Sequence, residues 1–472
     1  MTPEEMPIDE MLITNGIDAL TGRPLVPPLP LRDAAEFLKA SPDDPAVTAL
    51  LQSIWRSIEV PHLGLPMDVD PASVAEAGWA VVFHSEEPEE TRRALAPLIE
   101  HRRRQATDED RVKVLDYRSG EARARWLARH GVGAGTVDPT KVPFYLLLVG
   151  GPEKIPFSFG HLLDVEYAVG LLQFDTAEEY ARYAESVVRY ETGEPAPRAK
   201  EAVFFATRHD YDRATQLSAD SLVRPLVNGS VARRGFATQS LIQDGATKER
   251  LSHLFDPPEG TLPPAFLFTA THGVGFPCGH DLQAPAQGAL LCQDWSGFGA
   301  LSPEHYFAAA DLSASARVHG LIAFHFACYG GGTPSHDRFF HKPGLPAPAI
   351  AERPFLAALP KALLSHPGGG ALAVIAHVER AWGYSIVTAN AGPQLLPFEN
   401  AIGRIFSGQP VGHAMKDFNE RYAALSTDLS SRLEEASFGA TVSDFELVST
   451  WAERNDAEGY VVLGDPAVRM RF

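Results

Sequence analysis

Two strand-length apolar runs in this 472-residue chain end in side chains able to do covalent chemistry. AFLFTAT (265–271) leads into His272 and Gly273, and GLIAFHFA (320–327) leads into Cys328, Tyr329 and the triplet Gly330, Gly331, Gly332. A cysteine attacks as its thiolate, and a nearby imidazole can take the proton and later return it to a leaving group. Attack on a carbonyl creates an oxyanion that needs donors, commonly backbone N–H groups. Gly273 N–H and Cys328 N–H are the candidates, and glycine beside each reactive residue would let a substrate backbone come close. The separation of His272 and Cys328, 56 residues, leaves room for one crossover. Both side chains would then stand at one sheet edge, on adjacent strands, where open α/β sheets place their sites.

Other chemistries fit less well. His272, Cys278 and His280 in HGVGFPCGH are all zinc-ligand types, but no second CxxC or HxxxH completes a four-ligand set. There is no GxxxxGK, HExxH or GxGxxG, and GYSIV (383–387) lacks the closing glycine of a nucleophile elbow. No metal or cofactor is expected. Three cysteines, Cys278, Cys292 and Cys328, argue against a disulfide framework and for a reducing compartment. The opening MTPEEMPIDEML has no signal-like apolar core, and no run is long enough to span a bilayer, so a cytoplasmic location without a membrane span is expected. The formal charge of −19 opposes phosphate backbones and suits basic polypeptide segments. The densest basic run, His101 to Arg104, reads as a solvated helix face, so nucleic acid is not an expected partner.

The elements that would hold these residues show as short apolar runs from Trp79 onward. Strands are expected at 79–83, 111–117, 144–150, 167–174, 201–207, 238–243, 265–272, 320–328, 370–378 and 460–465. Several are continuously apolar, as in parallel strands covered on both faces. Thr176–Glu191 reads as a helix with a Thr176/Glu179 capping box, and 412–436 as a helix with Met415, Phe418, Tyr422, Leu425, Leu429 and Leu433 on one stripe. Alternating β and α units imply an α/β fold with a mostly parallel sheet between helical layers. The proline-containing stretch TGEPAPRAK (192–200) marks the boundary between a first subdomain, 73–200, and a second, 201–472. Residues 1–72 read as a proline-rich arm or lid, with a short helix near 47–58. Residues 334–354 read as a surface loop.

The ordered set of segments resembles a known family. THG (271–273) and FACYGGG (326–332) are similar to the His-Gly and strand-ending Cys of caspase-fold (clan CD) cysteine peptidases, and most similar to gingipain-like and bacterial CHAT-type proteins. LLLVGGPEKIP (146–156), DVEYAVGLLQFDTAEEYARYAESVVRYE (164–191) and VVLGDPAVRMRF (461–472) extend the resemblance over roughly 75–472. It implies a caspase-like three-layer α/β/α sandwich of two tandem subdomains. It also implies a bacterial cysteine endopeptidase acting on a protein or peptide substrate through a Cys328–His272 dyad. Asp164, in the Asp-x-x-Tyr segment, would meet a substrate Arg or Lys or orient His272, and Trp382 would wall the primary pocket. Glu379 and Arg380, just before that tryptophan, depart from the family pattern. The loop 334–354, with Arg338, Lys342 and Arg353, is expected to gate the site or be cut by the enzyme, and an activating partner is left open. Two further readings stand beside the peptidase: a caspase-fold scaffold with little turnover, and a thiol-dependent acyl transferase on the same fold.

Overall fold

The computed structural model describes residues 11–12, 15–25, 29–33, 35, 64–133, 135–193, 198–229, 234–338, 346–383, 386–388 and 392–472. The helix expected near 47–58 and Lys342 lie outside them. All ten expected strands form, and they share one sheet. In chain order they are β1 (Trp79–His84), β2 (Val112–Tyr117), β3 (Tyr145–Val149), β4 (Ala168–Leu172), β5 (Ala199–Ala206), β6 (Ala237–Ile242), β7 (Pro264–Ala270), β8 (Ile322–Phe326), β9 (Ala373–His377) and β10 (Tyr460–Gly464). Their order across the sheet is β2-β1-β3-β4-β10-β9-β8-β7-β5-β6.

Every residue of β1, β3, β7, β8, β9 and β10 is buried. Successive strand side chains point to opposite faces, so both faces must be covered, which makes three layers. The outermost strands, β2 and β6, alternate with exposed positions, as edges do. All neighbours in the sheet are parallel except β9 and β10, which are antiparallel. β10 thus joins two parallel halves that run in opposite senses, pairing with β4 on one side and β9 on the other.

The expected capping box is present: Thr176 Oγ1 accepts from Glu179 N, and the Glu179 carboxylate accepts from Thr176 N, at the start of helix Ala177–Thr192. The long C-terminal helix is Lys416–Ser437, with a short turn, Val411–Ala414, before it. A second helix, Asp444–Gly459, which periodicity did not reveal, lies against it. The basic run corrects the sequence reading. Arg102 is 1% exposed and His101 is also buried. Arg102 binds Asp465 Oδ2 through Nε (2.9 Å) and Nη2 (2.8 Å), and Glu191 through Nη1 (2.7 Å) and Nη2 (2.9 Å). Two carboxylates inside the protein supply the charge that water would otherwise supply. Only Arg103 and Arg104 of the run face solvent.

Two described residues of the stretch 334–354 are anchored by ion pairs. Asp337 forms a buried pair with Arg380 (2.6 Å), and Arg338 reaches Glu458 (3.2 Å). No helix among the described residues is long and apolar enough to cross a membrane.

Candidate active site

β7 and β8 are neighbours in register, with Ala270 opposite Phe326. His272 and Cys328 therefore each stand two residues beyond paired positions, at the same sheet edge. Thr271 N continues the ladder by donating to Phe326 O (3.2 Å). Beyond Cys328 the chain turns sharply. Tyr329 has φ +58°, a left-handed conformation costly for a non-glycine residue, and its N–H donates to Glu379 O, where Glu379 is also left-handed (φ +66°). Gly331 then runs under β9, with its N–H on His377 O (2.9 Å). The glycine triplet makes room for the protein's own chain: a Cβ on Gly332 would stand 2.7 Å from Phe355 O. Gly273 lies so close to Cys328 that a Cβ there would be 1.7 Å from Cys328 O.

His272 is buried and its two ring nitrogens have different partners. Nδ1 accepts from Gly16 N (2.7 Å), so the ring proton is on Nε2, which donates to Asp212 Oδ2 (2.5 Å). Asp212 caps the short helix Arg213–Leu217 after β5, accepting from Ala214 N (3.1 Å) and Thr215 Oγ1 (2.9 Å). Burial opposes ionisation of Asp212, but His272 and these donors outweigh it and hold the carboxyl down at about 2. Sequence reasoning missed this residue. Its signal was the strand-end rule applied to β5, the other neighbour of β7.

Cys328 is wholly buried, and burial pushes its thiol up to about 12. Its Sγ accepts from Ala381 N (3.2 Å) and contacts the carbonyl oxygen of Asn15. Segment 15–19 of the arm threads between the thiol and the imidazole. Asn15 N donates to Ala381 O (3.1 Å), Ile17 N to Gly273 O (3.3 Å) and Ala19 N to Gly275 O (2.8 Å). Ile17 and Asp18 pair in parallel with Val274 and Gly275. Ile17 and Ala19 are buried in a small apolar cluster with Val274, Phe276 and Trp295.

Trp382 follows Ala381 and is buried against Trp451, with ring centroids 6.0 Å apart. The Trp382 backbone N–H donates to Asp456 Oδ1 (2.6 Å). Asp164 has partners other than His272 and Cys328. It ends helix Phe157–Asp164, its Oδ1 accepts from Val169 N (2.8 Å), and its charged neighbour is Lys416. Burial pushes its carboxyl up to about 7, against the pull of Lys416. His280 stacks on Phe276 (5.3 Å) instead of turning towards Cys278 and His272. Among the described residues no three His, Cys, Asp or Glu side chains group as metal ligands.

A doubly covered, mostly parallel sheet that delivers a cysteine and a histidine from neighbouring strand ends defines the caspase-like class of α/β proteins. A profile of peptidase family C25 matches residues 87–471, and the chain belongs to that family of cysteine peptidases. Among solved structures it is similar to the Arg-specific cysteine proteinase gingipain R, at 13% identity over 85% of this chain and 80% of that one, TM-score 0.46. The complex of Porphyromonas gingivalis RgpB pro- and mature domains matches at 12% identity over 84% and 80%, TM-score 0.43. The Saccharomyces cerevisiae separase–securin complex matches at 10% over 70% and 16%, TM-score 0.32. No curated protein matches the chain.

Proposed function

We propose that this cysteine peptidase cuts internal peptide bonds with Cys328 as nucleophile and His272 as base and then acid. The observation that carries the reading is the strand-end register of the two residues, together with the bond from His272 Nε2 to Asp212. Asp212 fixes the tautomer, which leaves Nδ1 facing the cleft to take the thiol proton and pass it to the leaving amine. Gly273 N–H and Cys328 N–H, on backbones in close contact, are the proposed oxyanion donors. Trp382 is a proposed pocket wall, since the neighbouring Ala381 binds both Asn15 N and the thiol. Cleavage after Arg or Lys, with Asp164 as the acidic group that would meet the basic side chain, is the specificity the family resemblance suggests.

The test is a panel of peptidyl acyloxymethyl ketones with Arg, Lys, Asn or Ala next to the warhead. They are applied to the wild type and to Gly16→Ala, in which the added methyl would press on Leu25 and on Cys328 Sγ (3.1 Å) and expel the arm. Labelling at Cys328 that disappears on adding His272→Ala is expected. Absence of labelling in both proteins with every probe overturns the reading.

A further inference from the structure

A cavity of about 780 Å³ lies between segment 64–71 and one face of helix Lys416–Ser437. That volume is within the range of small-molecule sites. Phe144, just before β3, and Val165 and Glu166, just before β4, line it at one end. The antiparallel step from β9 to β10 puts those strand starts at the sheet edge that carries Cys328, but in the other half of the sheet. Neither His272 nor Cys328 lines it. Lys416, Glu420, Ala423, Ala424, Thr427 and Asp428 recur at three- and four-residue spacing, so one helix face forms the wall. The two alanines leave space there. Opposite stand Leu65, Val69 and Met67, and Met67 is 98% exposed. Pro66 and Pro71 on the same side bring no N–H.

The charges of the cavity are divided between its ends. Lys416 Nζ donates to Val165 O (2.8 Å) and Asp164 O (3.5 Å) and lies 5.9 Å from the centre of the Phe144 ring. No carboxylate of a described residue forms an ion pair with it, and one of its three donors is left over. Burial pulls the ammonium below its ordinary range in spite of Asp164, Glu420 and Glu166 nearby. Next to it in the lining, His413 keeps Nδ1 buried without a hydrogen bond. Burial, Arg404 and Lys416 hold this imidazole down, so it is neutral near pH 7 and can donate from that nitrogen. The acids at this end are already engaged. Asp417 takes Arg404 (2.6 Å) and Asn400, and Glu166 takes Arg123 and Gly135 N (2.8 Å). Glu420 and Asp428 face solvent.

We propose that this cavity binds an apolar monocarboxylate of the fatty-acid kind, with its carboxylate on Lys416 and His413 and its chain between Ala423, Ala424 and the Leu65–Val69 wall. The carboxylate supplies the acceptor that Lys416 and His413 lack. The chain covers Met67. A hydrocarbon suits the middle of the cavity better than a peptide does, because alanine, leucine, valine and proline side chains there leave peptide N–H and C=O groups unmatched. The site is separate from the hydrolytic one and does not depend on which residues carry out hydrolysis.

The experiment is calorimetric titration of the full chain, near neutral pH, with octanoate, decanoate and dodecanoate below their micelle concentrations. A single saturable site is expected, tightening roughly tenfold with each two-carbon step, as burial of methylenes requires. Lys416→Met should weaken dodecanoate by about tenfold or more. Ala424→Trp, on the exposed helix face, should abolish binding by filling the space without disturbing the fold. Absence of saturable binding overturns the proposal, as does binding that Ala424→Trp leaves unchanged. Dodecyltrimethylammonium binding as tightly as dodecanoate overturns it by giving the site to a cation. Acetyl-Leu-Leu carboxylate binding as tightly as dodecanoate overturns it by giving the site to a peptide C-terminus. The readout is binding alone, so each of these results leaves the Cys328–His272 reading standing.

Discussion

Three side chains from three adjacent strands meet at the cleft, and each is conditioned by what it touches. Asp212 is a positioning residue, since it contacts His272 and not the thiol. Asp212→Asn should keep the packing but can present an amide N–H to the ring and favour the wrong tautomer. In the Gly16→Ala background we expect kcat for peptide hydrolysis to fall by about 10²-fold or more with KM nearly unchanged. Because its folded value is near 2, below the ordinary 3.8, Asp212 stabilises the folded site fully above pH 3.8 and loses that contribution as pH falls through about 2. Any acid limb of activity above that window therefore belongs to another group. Cys328 is held at the opposite extreme. With its thiol raised to about 12 and no solvent exposure, iodoacetamide at pH 8 should modify exposed Cys278 and spare Cys328. Peptide mapping should find Cys328 modified at least roughly tenfold faster in Gly16→Ala, where local opening is no longer needed.

At the scale of elements, the site depends on how closely two strand ends approach. Gly273→Ala would set a methyl carbon 1.7 Å from a backbone oxygen, which cannot move without displacing Cys328. Loss of peptidase activity and a cost of about 1–3 kcal/mol in thermal unfolding are expected, from overpacking alone. The strands themselves were legible in the sequence, because burial on both faces writes a continuous apolar run that few other elements share. His272 and Cys328 were legible for the same reason, as polar groups ending such runs. Asp212 was not, since it caps a five-residue helix with no periodicity of its own. Asn15 and Gly16 left no local sign either: the partner of Gly16, His272, is 256 residues away. The Asp164 carboxylate caps a turn of its own segment by accepting from Val169 N, a contact its motif did not announce. The reversal of strand direction between β9 and β10 has no counterpart in composition or period. The helix Asp444–Gly459 was missed because it buries polar residues, Ser449, Arg454, Asp456 and Glu458 among them, which blur its apolar stripe.

Across the whole molecule, the two halves are held together by a polar lock as well as by the sheet. Asp465, at the end of β10, takes Arg102 from one helix, Trp79 Nε1 (2.9 Å) from β1 and Ala467 N (2.9 Å) from its own turn. Tyr183 Oη accepts from Asp465 N (2.6 Å) and donates to Leu372 O (2.9 Å), just before β9. Gly464, at φ +107°, gives the chain the bend that aims the carboxylate inward. Asp465→Ala would leave Arg102 with Glu191 as its one carboxylate partner, beside the Gln105 side-chain oxygen (2.6 Å). A loss of about 3–5 kcal/mol in denaturant unfolding is expected, with Asp465→Asn recovering part of it.

The position of β10 has a consequence for how the protein is made. A ribosome delivers β4 and β9 long before the strand that must lie between them. Until residues 460–464 emerge, each half-sheet presents an unpaired inner edge flanked by fully buried strands, the kind of surface on which nascent chains associate. Synthesis of this peptidase therefore passes through a long vulnerable interval that closes only when residues 460–464 take their place between β4 and β9. A chain that stopped before residue 460 would hold two open half-sheets instead of one continuous sheet.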